Sequence, residues 1–309
     1  MTKIKQITIK EFEKIFNEKL DDFVRQKILE YDFSYKEIPV KKRDEIIMQI
    51  IDMLLDNDVN KAGKHRQKQW EKGWKENLTE ISNSNKKGDI PKYFGKYEIL
   101  RWKQKFIEPL NEDFELNSLA IIQNWIFNKY LKNAENIYEF GCGTGHNLSR
   151  VREINQNAKI FGLDWTESSQ KIIKKVAKEK NDKKLFAKKF DFFKPDYKFK
   201  LGKNSIIFTV AALEQTGSNF DKFLKYLLKN QPSTCIHIEP ISEVLDNSNL
   251  LDYLSISYFK KRNYLIGFLD YLKKLEQEKK IIIHKIQRTF IGSIFIEGYS
   301  VIVWSPINN

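Results

Sequence analysis

The sequence predicts an α/β protein, in which an α-helical N-terminal region precedes a mostly parallel β-sheet covered by helices on both faces. Three observations lead to this prediction. Apolar residues recur at three- and four-residue spacing through about residue 135, as on one face of a helix. Short apolar runs then alternate with segments long enough for crossover helices, which is the pattern of a parallel sheet. Two final β-rich runs are too close together for a crossover helix, so they should pair as a C-terminal antiparallel hairpin.

Length and composition exclude several classes of protein. The chain has 309 residues, of which 41% are hydrophobic, enough for one large domain or two ordinary ones and incompatible with wholesale disorder. The two cysteines, Cys142 and Cys235, can form neither a disulfide framework nor a four-ligand zinc site, so we expect a reduced, cytoplasmic protein without a metal site. The N-terminus lacks the apolar stretch of a secretory signal, and the longest apolar stretch, 206–213, is too short to span a bilayer. We therefore expect no membrane insertion.

The N-terminal region, predicted to extend over residues 1–114, begins with amphipathic helices. One apolar stripe runs along 10–30, and a second helix follows Pro39, a residue that suits a first helical turn. A loop is predicted over 82–95, where Ser, Asn, Lys, Gly and Pro show no periodicity. The remaining helices before residue 135 are predicted around Trp70 and Trp74, over 97–107 and over 116–131.

The second region, 115–309, contains the predicted sheet. A helical block over 250–278 precedes the hairpin, whose two strands are separated by a turn at 291–293 or by a bulge near Gly298. The parallel strands are predicted at 136–141, 158–163, 185–190, 205–210 and 234–238, and the hairpin strands at 281–290 and 294–304.

A glycine-rich turn follows the first predicted strand. Gly141, Gly143 and Gly145 alternate ahead of a helix that starts at about His146, and glycine there permits positive φ and the close approach of a ligand. The turn lies at the carboxyl end of a parallel strand, where open α/β sheets bind ligands. His146 stands where a dinucleotide fingerprint needs glycine, and the turn has no Lys-Ser/Thr pair as in a triphosphate loop. A turn that binds no ligand is the alternative.

This segment resembles motif I of class I S-adenosylmethionine-dependent methyltransferases, E-x-G-x-G-x-G, with Glu139 as its acidic residue. The resemblance covers about residues 115–304 and implies the Rossmann-like, seven-stranded sheet of that family, five parallel strands followed by the antiparallel pair. It also implies S-adenosylmethionine as the cofactor, with its methionine end beside Gly141 to Gly145. The sulfonium of that cofactor is a cation, so a carboxylate such as Glu139 suits this end better than a lysine.

Two further acidic residues at strand ends extend the resemblance. Asp164 ends the second strand, where it would accept both ribose hydroxyls of the cofactor, with Trp165 near the adenine. Asp191 follows the third strand, where the family has an acidic residue near the adenine amino group, and Phe192 would form an apolar wall beside it. The alternatives are a helix N-cap for Asp164 and a solvated turn residue for Asp191. The predicted cofactor-binding residues are Glu139, Gly141, Cys142, Gly143, Gly145, Asn147, Asp164, Trp165, Asp191 and Phe192.

Acceptor sites in this family lie beyond the fourth and fifth strands. Glu239 and Glu214 fall at those strand ends, and each is a candidate general base; a carboxylate paired with a nearby lysine is the alternative. His237 ranks below them, because it alternates with isoleucines inside the strand as a core histidine would. Arg262, in a tyrosine-rich stretch with Tyr258, is a candidate clamp for a phosphate or carboxylate of the substrate, with a surface arginine as the alternative.

Aromatic and basic residues of the N-terminal region are candidates for a lid over the acceptor. The spacing of Trp70 and Trp74 also fits plain helix packing, which we favour for these two. The candidates are Trp70, Trp74, Tyr93, Phe94, Arg101 and Trp102.

The predicted function is methyl transfer to a small-molecule acceptor, at an oxygen of a sugar, a cell-envelope precursor or a secondary metabolite. The alternatives are an RNA or protein methyltransferase and a non-catalytic cofactor-binding protein. The segment after the fourth strand lacks the Asp/Asn-Pro-Pro-Tyr/Phe sequence of DNA amino-methylating enzymes, and neither cysteine is the Pro-Cys nucleophile of the cytosine-carbon class.

The formal net charge of +13 bears on the nucleic-acid alternative. Only eight of the 54 basic residues are arginine, the better residue for bidentate phosphate or base contacts. Much of the excess lies in 171–203, where thirteen lysines face four acidic residues for a net charge of +9. On the predicted fold this stretch lies away from the acceptor mouth. We therefore expect a solvated lysine face and no nucleic-acid partner.

Overall fold

The computed structural model describes residues 3–83 and 88–307, which form two β-sheets and the helices around them. The strands are β1 (Ile4–Gln6), β2 (Ser34–Glu37), β3 (Leu100–Trp102), β4 (Lys105–Pro109), β5 (Asn136–Phe140), β6 (Lys159–Asp164), β7 (Leu185–Lys189), β8 (Ser205–Val210), β9 (Thr234–Glu239), β10 (Ile281–Gln287), β11 (Ile291–Gly292) and β12 (Ser300–Pro306). The α-helices are α1 (Ile9–Phe16), α2 (Asp22–Leu29), α3 (Val40–Leu55), α4 (Gln67–Ser82), α5 (Phe114–Tyr130), α6 (His146–Ile154), α7 (Glu167–Glu179), α8 (Asp221–Asn230), α9 (Leu250–Arg262) and α10 (Phe268–Gln277).

Two predictions from the sequence concern a loop over 82–95 and the absence of membrane insertion. Residues 84–87 of the loop predicted over 82–95 lie outside them. Within 3–83 and 88–307, no helix combines the length and the apolar character needed to cross a membrane.

The larger sheet has the strand order β10-β12-β9-β8-β5-β6-β7. The five strands from β5 to β9 run parallel, and β12 lies antiparallel between β9 and β10. The predicted seven-stranded sheet with its C-terminal antiparallel pair is therefore confirmed. The edge strand β7 exposes Lys188 and Lys189, whose charges discourage pairing with the edge of another sheet.

The smaller sheet, β1-β2-β4-β3-β11, adds strands to the N-terminal region, for which the sequence predicted helices. The helix predicted over 97–107 is wrong, because β3 and β4 form a hairpin there that turns through Lys103 and Gln104, with φ of 49° and 56°. Such left-handed turns usually carry Asn or Gly, so their sequence signal is missing. β11 joins this sheet from the connection between β10 and β12, which is longer than the turn predicted at 291–293.

Left-handed asparagines divide two of the predicted helical stretches. Asn17, with φ of 50°, ends α1, so the single helix expected over 10–30 is in fact α1 and α2. Asn263, with φ of 52°, ends α9 and separates it from α10 within the block predicted over 250–278. Asparagine adopts this conformation more readily than other residues with a side chain, which accounts for both breaks.

One apolar core extends from the N-terminal region to the larger sheet. Phe12 and Phe16 of α1 are fully buried, and Phe16 stacks on Trp125 of α5 with ring centroids 4.2 Å apart. On the opposite face of the sheet, α8 and α10 bury a second set of apolar side chains. A shared core thus crosses the division between 1–114 and 115–309, and that division stays a prediction.

Candidate functional site

Three glycines shape the turn between β5 and α6. Gly141, Gly143 and Gly145 have φ of 79°, 50° and 76°, in the left-handed region that glycine adopts at little cost. Neighbouring side chains also occupy the space that a Cβ would need. A Cβ on Gly143 would lie 2.8 Å from Trp74 Cζ2, and a Cβ on Gly141 or Gly145 would collide with side chains of adjacent elements. Backbone shape and close contacts both require glycine here.

A cavity opens over this turn, at the carboxyl ends of β5, β6 and β8. It contains about 850 Å³ of empty space, including the part open to solvent. β5 lies between β6 and β8 at the switch point of the sheet, where α/β sheets bind ligands. Of the predicted cofactor-binding residues, those that line the cavity are Gly141, Cys142, Gly143, Asn147, Asp164, Trp165 and Phe192. The other three, Glu139, Gly145 and Asp191, adjoin these residues in sequence or through hydrogen bonds.

Glu139 places a buried carboxylate beneath the turn. Its Oε1 accepts a 2.6 Å hydrogen bond from Asn147 Nδ2, and Asn147 Oδ1 accepts one of 2.7 Å from Gln123. Its Oε2 is buried without a hydrogen-bond partner in the described part of the chain. Burial raises the pKa of Glu139 to about 8, and the hydrogen bond from Asn147 opposes this shift. A cationic ligand group next to Oε2 would relieve the cost of burying an unpartnered carboxylate oxygen.

Asp164 connects the end of β6 to the glycine turn. Its Oδ2 accepts the N–H of Gly143 at 3.0 Å, and its Oδ1 accepts the N–H and the hydroxyl of Thr166 at 2.9 and 2.7 Å. The N-cap residue of α7 is Thr166, so the structure does not show the N-cap alternative for Asp164. Burial raises the pKa of Asp164. Because a carboxylate oxygen has two lone pairs, Oδ2 can still accept a hydrogen bond from a ligand in the cavity.

An aromatic wall follows β6 and β7. Trp165 stacks on Phe193 with ring centroids 5.8 Å apart, and Phe192 meets Phe223 edge-on at 4.8 Å. Asp191 is half-buried and accepts the N–H of Phe193 at 2.8 Å, as a turn residue does. This hydrogen bond fixes the turn that presents Phe192 and Phe193 to the cavity.

The N-terminal region supplies another wall of the cavity. Trp70 and Trp74 of α4 stack with ring centroids 5.4 Å apart, and both line the cavity together with Tyr93 and Phe94. The packing interpretation favoured for the two tryptophans is therefore incomplete, because they face the cavity as well as each other. Sequence spacing could not reveal this, since it does not show which element α4 packs against.

Glu71 fixes α4 against the start of α7. Its carboxylate accepts the N–H of Glu167 at 2.7 Å and the N–H and hydroxyl of Ser168 at 3.1 and 2.5 Å. A carboxylate at a helix N-terminus is stabilised by the helix dipole as well as by these hydrogen bonds. Arg101 and Trp102, the other two lid candidates, instead lie buried in β3 of the smaller sheet.

Glu239 binds backbone groups at the end of β9. Its two carboxylate oxygens accept the N–H groups of Ala212, Leu213 and Glu214 at 3.0 to 3.3 Å. These residues begin the short 3-10 turn Leu213–Thr216 after β8. Burial raises the pKa of Glu239 to about 7, and the backbone hydrogen bonds oppose this shift. Glu239 thus orders the turn that carries Glu214.

His237 lies inside the sheet. It is fully buried, its Nε2 accepts a 3.0 Å hydrogen bond from Trp304 Nε1, and its Nδ1 lies 3.0 Å from Thr209 Oγ1. Since the indole N–H only donates, the ring carries its proton on Nδ1 and donates to Thr209. Burial lowers the pKa of His237 to about 3, so the ring is neutral at pH 7. This environment is that of the core histidine left open as the alternative.

Glu214 adjoins the cavity wall. Its Oε1 accepts a 2.8 Å hydrogen bond from Gln215 Nε2, and Gln215 lines the cavity. Burial raises the pKa of another lining residue, Tyr93, and the charge of Glu214 acts in the same direction. Burial raises the pKa of Glu214 to about 8, and the charge of Glu239 acts in the same direction. A carboxyl group with a pKa near neutrality is suited to proton transfer.

Arg262 lies among tyrosines near Glu214. Its guanidinium carbon is 5.8 and 5.2 Å from the ring centroids of Tyr258 and Tyr264, and its Nη2 donates to the Tyr264 hydroxyl at 3.1 Å. Sequence reasoning missed Arg66, whose Nη1 donates to Gln215 Oε1 at 2.7 Å. Arg66 and Arg262 are far apart in the chain, so no local pattern connects them. In the described ranges, no group of three or more His, Cys, Asp or Glu side chains is arranged to hold a metal ion.

Comparison with known proteins gives matches among solved structures. Neither a protein-family model nor a curated protein matches this sequence. The methyltransferase domain of bacterial CtHen1 is 18% identical with a TM-score of 0.46, over 62% of this chain and 98% of that one. Geranyl diphosphate C-methyltransferase from Streptomyces coelicolor A3(2) is 12% identical with a TM-score of 0.45, over 65% and 86%. The O-methyltransferase NcsB1 from neocarzinostatin biosynthesis is 11% identical with a TM-score of 0.45, over 77% and 69%.

The strand order itself places the chain among known folds. From β7 through β6, β5, β8 and β9, the parallel strands follow the 3-2-1-4-5 order of a doubly wound sheet. The antiparallel pair β12 and β10 extends that sheet beyond β9, as the sequence resemblance implied. The chain therefore has the fold of the class I S-adenosylmethionine-dependent methyltransferases.

Proposed function

We propose that this protein transfers the methyl group of S-adenosylmethionine to an oxygen of a small polar molecule, such as a sugar, a cell-envelope precursor or a secondary metabolite. The observation that carries the proposal is the glycine turn at the switch point of the sheet, with the unpartnered Oε2 of Glu139 beneath it. An apolar cavity with a few convergent polar groups at this position is the expected form of a small-ligand site. Solved methyltransferases that share the fold include one described with S-adenosylmethionine and a small aromatic acid bound.

The residues of the turn fit the cofactor group by group. S-adenosylmethionine would supply a methyl group that its sulfonium already activates. Glu139 Oε2 suits the cationic methionine end, and Asp164 Oδ2 has a lone pair for a ribose hydroxyl. Trp165 and Phe192 would flank the adenine, because their rings form the aromatic wall of the cavity. Cys142 and Asn147 complete the lining beside the turn, and Asp191 would lie near the adenine edge.

The protein would contribute orientation and proton transfer to the reaction. Methyl transfer is an in-line displacement, so the acceptor oxygen must be held in line with the reacting carbon. A hydroxyl acceptor also loses a proton, and we assign its removal to the carboxylate of Glu214. Glu239 is a positioning residue in this scheme, since it holds the turn that carries Glu214. His237 has no part in it, because both of its ring nitrogens are engaged inside the sheet.

The lysine-rich stretch 171–203 supports a small acceptor over RNA. Its lysines lie on α7, on the edge strand β7 and in the loops that follow each of these elements, and most of them are exposed. None of them lines the cavity. The positive face is thus separate from the place where an acceptor would react.

A labelling experiment tests the proposed acceptor class. The purified protein would be incubated with methyl-labelled S-adenosylmethionine and separate pools of nucleotide sugars, phosphorylated metabolites and RNA. We expect label in a small-molecule pool. Alkaline hydrolysis would release the label as methanol from a methyl ester, whereas hydriodic acid would release it as methyl iodide from a methyl ether. Label in RNA alone would overturn the small-molecule assignment, whereas no transfer to any pool by a protein that binds the cofactor would favour a non-catalytic binding protein.

A further inference from the structure

Two half-buried arginines meet beside the cavity without a carboxylate partner. Arg66 and Arg262 both lie near the Tyr264 hydroxyl, to which Arg262 donates. Neither guanidinium comes within 4.0 Å of a carboxylate oxygen in 3–83 and 88–307. Among the same described residues, other arginines do form ion pairs: Arg25, Arg43, Arg152 and Arg288, with N···O distances of 3.4, 2.8, 2.8 and 2.6 Å.

The contacts of Arg66 place its charge at the cavity wall. Its Nη1 donates to Gln215 Oε1 at 2.7 Å, and its guanidinium carbon is 5.2 Å from the centroid of the Trp70 ring. Gln215 and Trp70 both line the cavity. The cation–π contact and the hydrogen bond hold the guanidinium in a fixed orientation, which reduces the entropy lost when an anion binds.

One N–H donor of Arg262 has no acceptor among the described residues. Its Nη2 donates to Tyr264, but its Nε is buried and has no acceptor in the described part of the chain. A buried N–H without an acceptor costs free energy, most of all on a charged group. Tyr258 and Tyr264 flank the guanidinium and fix its plane. The guanidinium of Arg262 is therefore held in a fixed orientation, with one N–H donor available to an acceptor on a ligand.

The charges around the two arginines do not balance. Burial lowers the pKa of Arg66, and the positive charge of Arg262 acts in the same direction. Glu214 interacts with both arginines, but burial raises its pKa to about 8, and this favours the neutral form, which leaves the pair uncompensated. Two like charges held together in a half-buried site repel each other, and a bound anion would remove that repulsion.

We propose that Arg66 and Arg262 form a subsite for an anionic group of the methyl acceptor, a carboxylate or a phosphate. The assignment rests on the proposed function, because it gives the subsite to the acceptor of that reaction. A guanidinium presents two parallel N–H donors that match the oxygens of either anion. An acceptor anchored there has its remaining atoms close to Glu214 and Gln215, on the way to the glycine turn. The subsite therefore selects acidic acceptors over neutral ones.

Three small aromatic probes test this subsite by calorimetry, with and without saturating S-adenosylhomocysteine. They are benzoate, phenyl phosphate and benzamide, the last being the neutral analogue of benzoate. We expect at least one anion to bind the wild type about tenfold more tightly than benzamide, and the tighter of the two anions identifies the anionic group. Arg262→Met and Arg66→Met should each lower anion affinity about tenfold or more. Arg262→Lys should lower anion affinity by less, because lysine keeps the positive charge but lacks the two parallel N–H donors of the guanidinium.

Controls separate this proposal from its competitors. Arg43→Met removes an exposed arginine and should leave anion binding unchanged. Equal anion affinity in the wild type, Arg262→Met and Arg66→Met would overturn the subsite, as would the failure of both benzoate and phenyl phosphate to bind more tightly than benzamide. Loss of S-adenosylhomocysteine binding in the two arginine variants would also overturn it, because the pair would then hold the cofactor carboxylate. Failure of the wild type to bind S-adenosylhomocysteine is a separate result, which counts against the proposed function. If a methionine variant fails to fold, the Arg262→Lys variant decides the question.

Discussion

Glu214→Gln is expected to lower the methyl-transfer rate by a factor of about 10² to 10⁴, the usual contribution of a general base. The amide has the shape of the carboxyl group but cannot take a proton from the acceptor. Binding of S-adenosylhomocysteine should be unchanged, because Glu214 lies beyond β8 and not at the glycine turn. The measurement is the initial rate of label transfer to the acceptor found in the labelling experiment. Glu278→Gln, an exposed glutamate paired with Lys280, is the control and should keep the full rate.

The pH dependence of the rate gives the same assignment a second test. The base must be ionised, and burial together with the charge of Glu239 raises the pKa of Glu214 to about 8, while Arg262 and Arg66 act in the opposite direction. The value of kcat/KM should therefore rise as pH increases from 6 through 8 and level off about one pH unit above the pKa. The residual rate of Glu214→Gln should lack this rise. A variant with the wild-type rate and profile would show that Glu214 is not the base.

Arg101→Met is expected to lower the free energy of unfolding by about 3–5 kcal/mol, as loss of one partner in a buried charged network does. Arg101 is 1% exposed and donates to the carbonyl of Ile294 at 2.8 and 3.1 Å, to that of Leu251 at 2.8 Å, and to the hydroxyl of Ser255. The variant leaves buried carbonyl oxygens without donors. It also removes one of two cations, Arg101 and Arg288, that balance two buried carboxylates.

The two buried carboxylates near Arg101 explain why the expected loss of unfolding free energy is large. Arg288 pairs with Asp252 at 2.6 Å and with Glu297 at 2.7 Å, and both carboxylates interact favourably with Arg101 as well. Urea unfolding, followed by circular dichroism, measures the change in midpoint. Arg43→Met is the matched control, since its exposed ion pair with Asp44 contributes at most about 1 kcal/mol. A midpoint equal to that of the control would mean that the network does not join β3 to α9.

The fold could be predicted where each local sequence pattern is compatible with only one type of secondary structure. The runs that became β5 to β9 are short, mostly apolar and bounded by turns, and the glycines at 141, 143 and 145 mark a turn with positive φ at three positions. The smaller sheet was missed because its strands are three to five residues long, apart from the two-residue β11. Strands that short do not establish an alternating pattern. The β3–β4 turn also has Lys103 and Gln104 in place of the usual Asn and Gly.

The candidate site was predictable where its residues are local in the chain or lie at or just after a strand end, as Asp164, Trp165 and Phe192 do. The residues from Glu139 to Asn147 surround a single turn, so the sequence placed them together. The pairing of Arg66 with Arg262, and the contact of Trp74 with Gly143, depend on how α4 packs against the sheet. The strand-end position of Glu239 was predicted, but its hydrogen bonds to the turn after β8 depend on the neighbouring strand. Long-range packing of this kind leaves no periodic signal in a single sequence.

Calorimetric titration with S-adenosylhomocysteine tests the central claim most directly. The wild type is predicted to bind one molecule per chain, and Gly143→Arg to bind none, because the new side chain would start 2.8 Å from Trp74 and enter the cavity. Asp164→Ala should bind about tenfold more weakly or worse, since it loses a charged acceptor. Gly267→Ala is the control: it has the same left-handed backbone, with φ of 77°, but no neighbouring atom within 4 Å of the new Cβ, so it should bind as the wild type does. A folded wild-type protein that does not bind S-adenosylhomocysteine, or a Gly143→Arg variant that binds it equally well, would contradict the assignment of the glycine turn as the cofactor site.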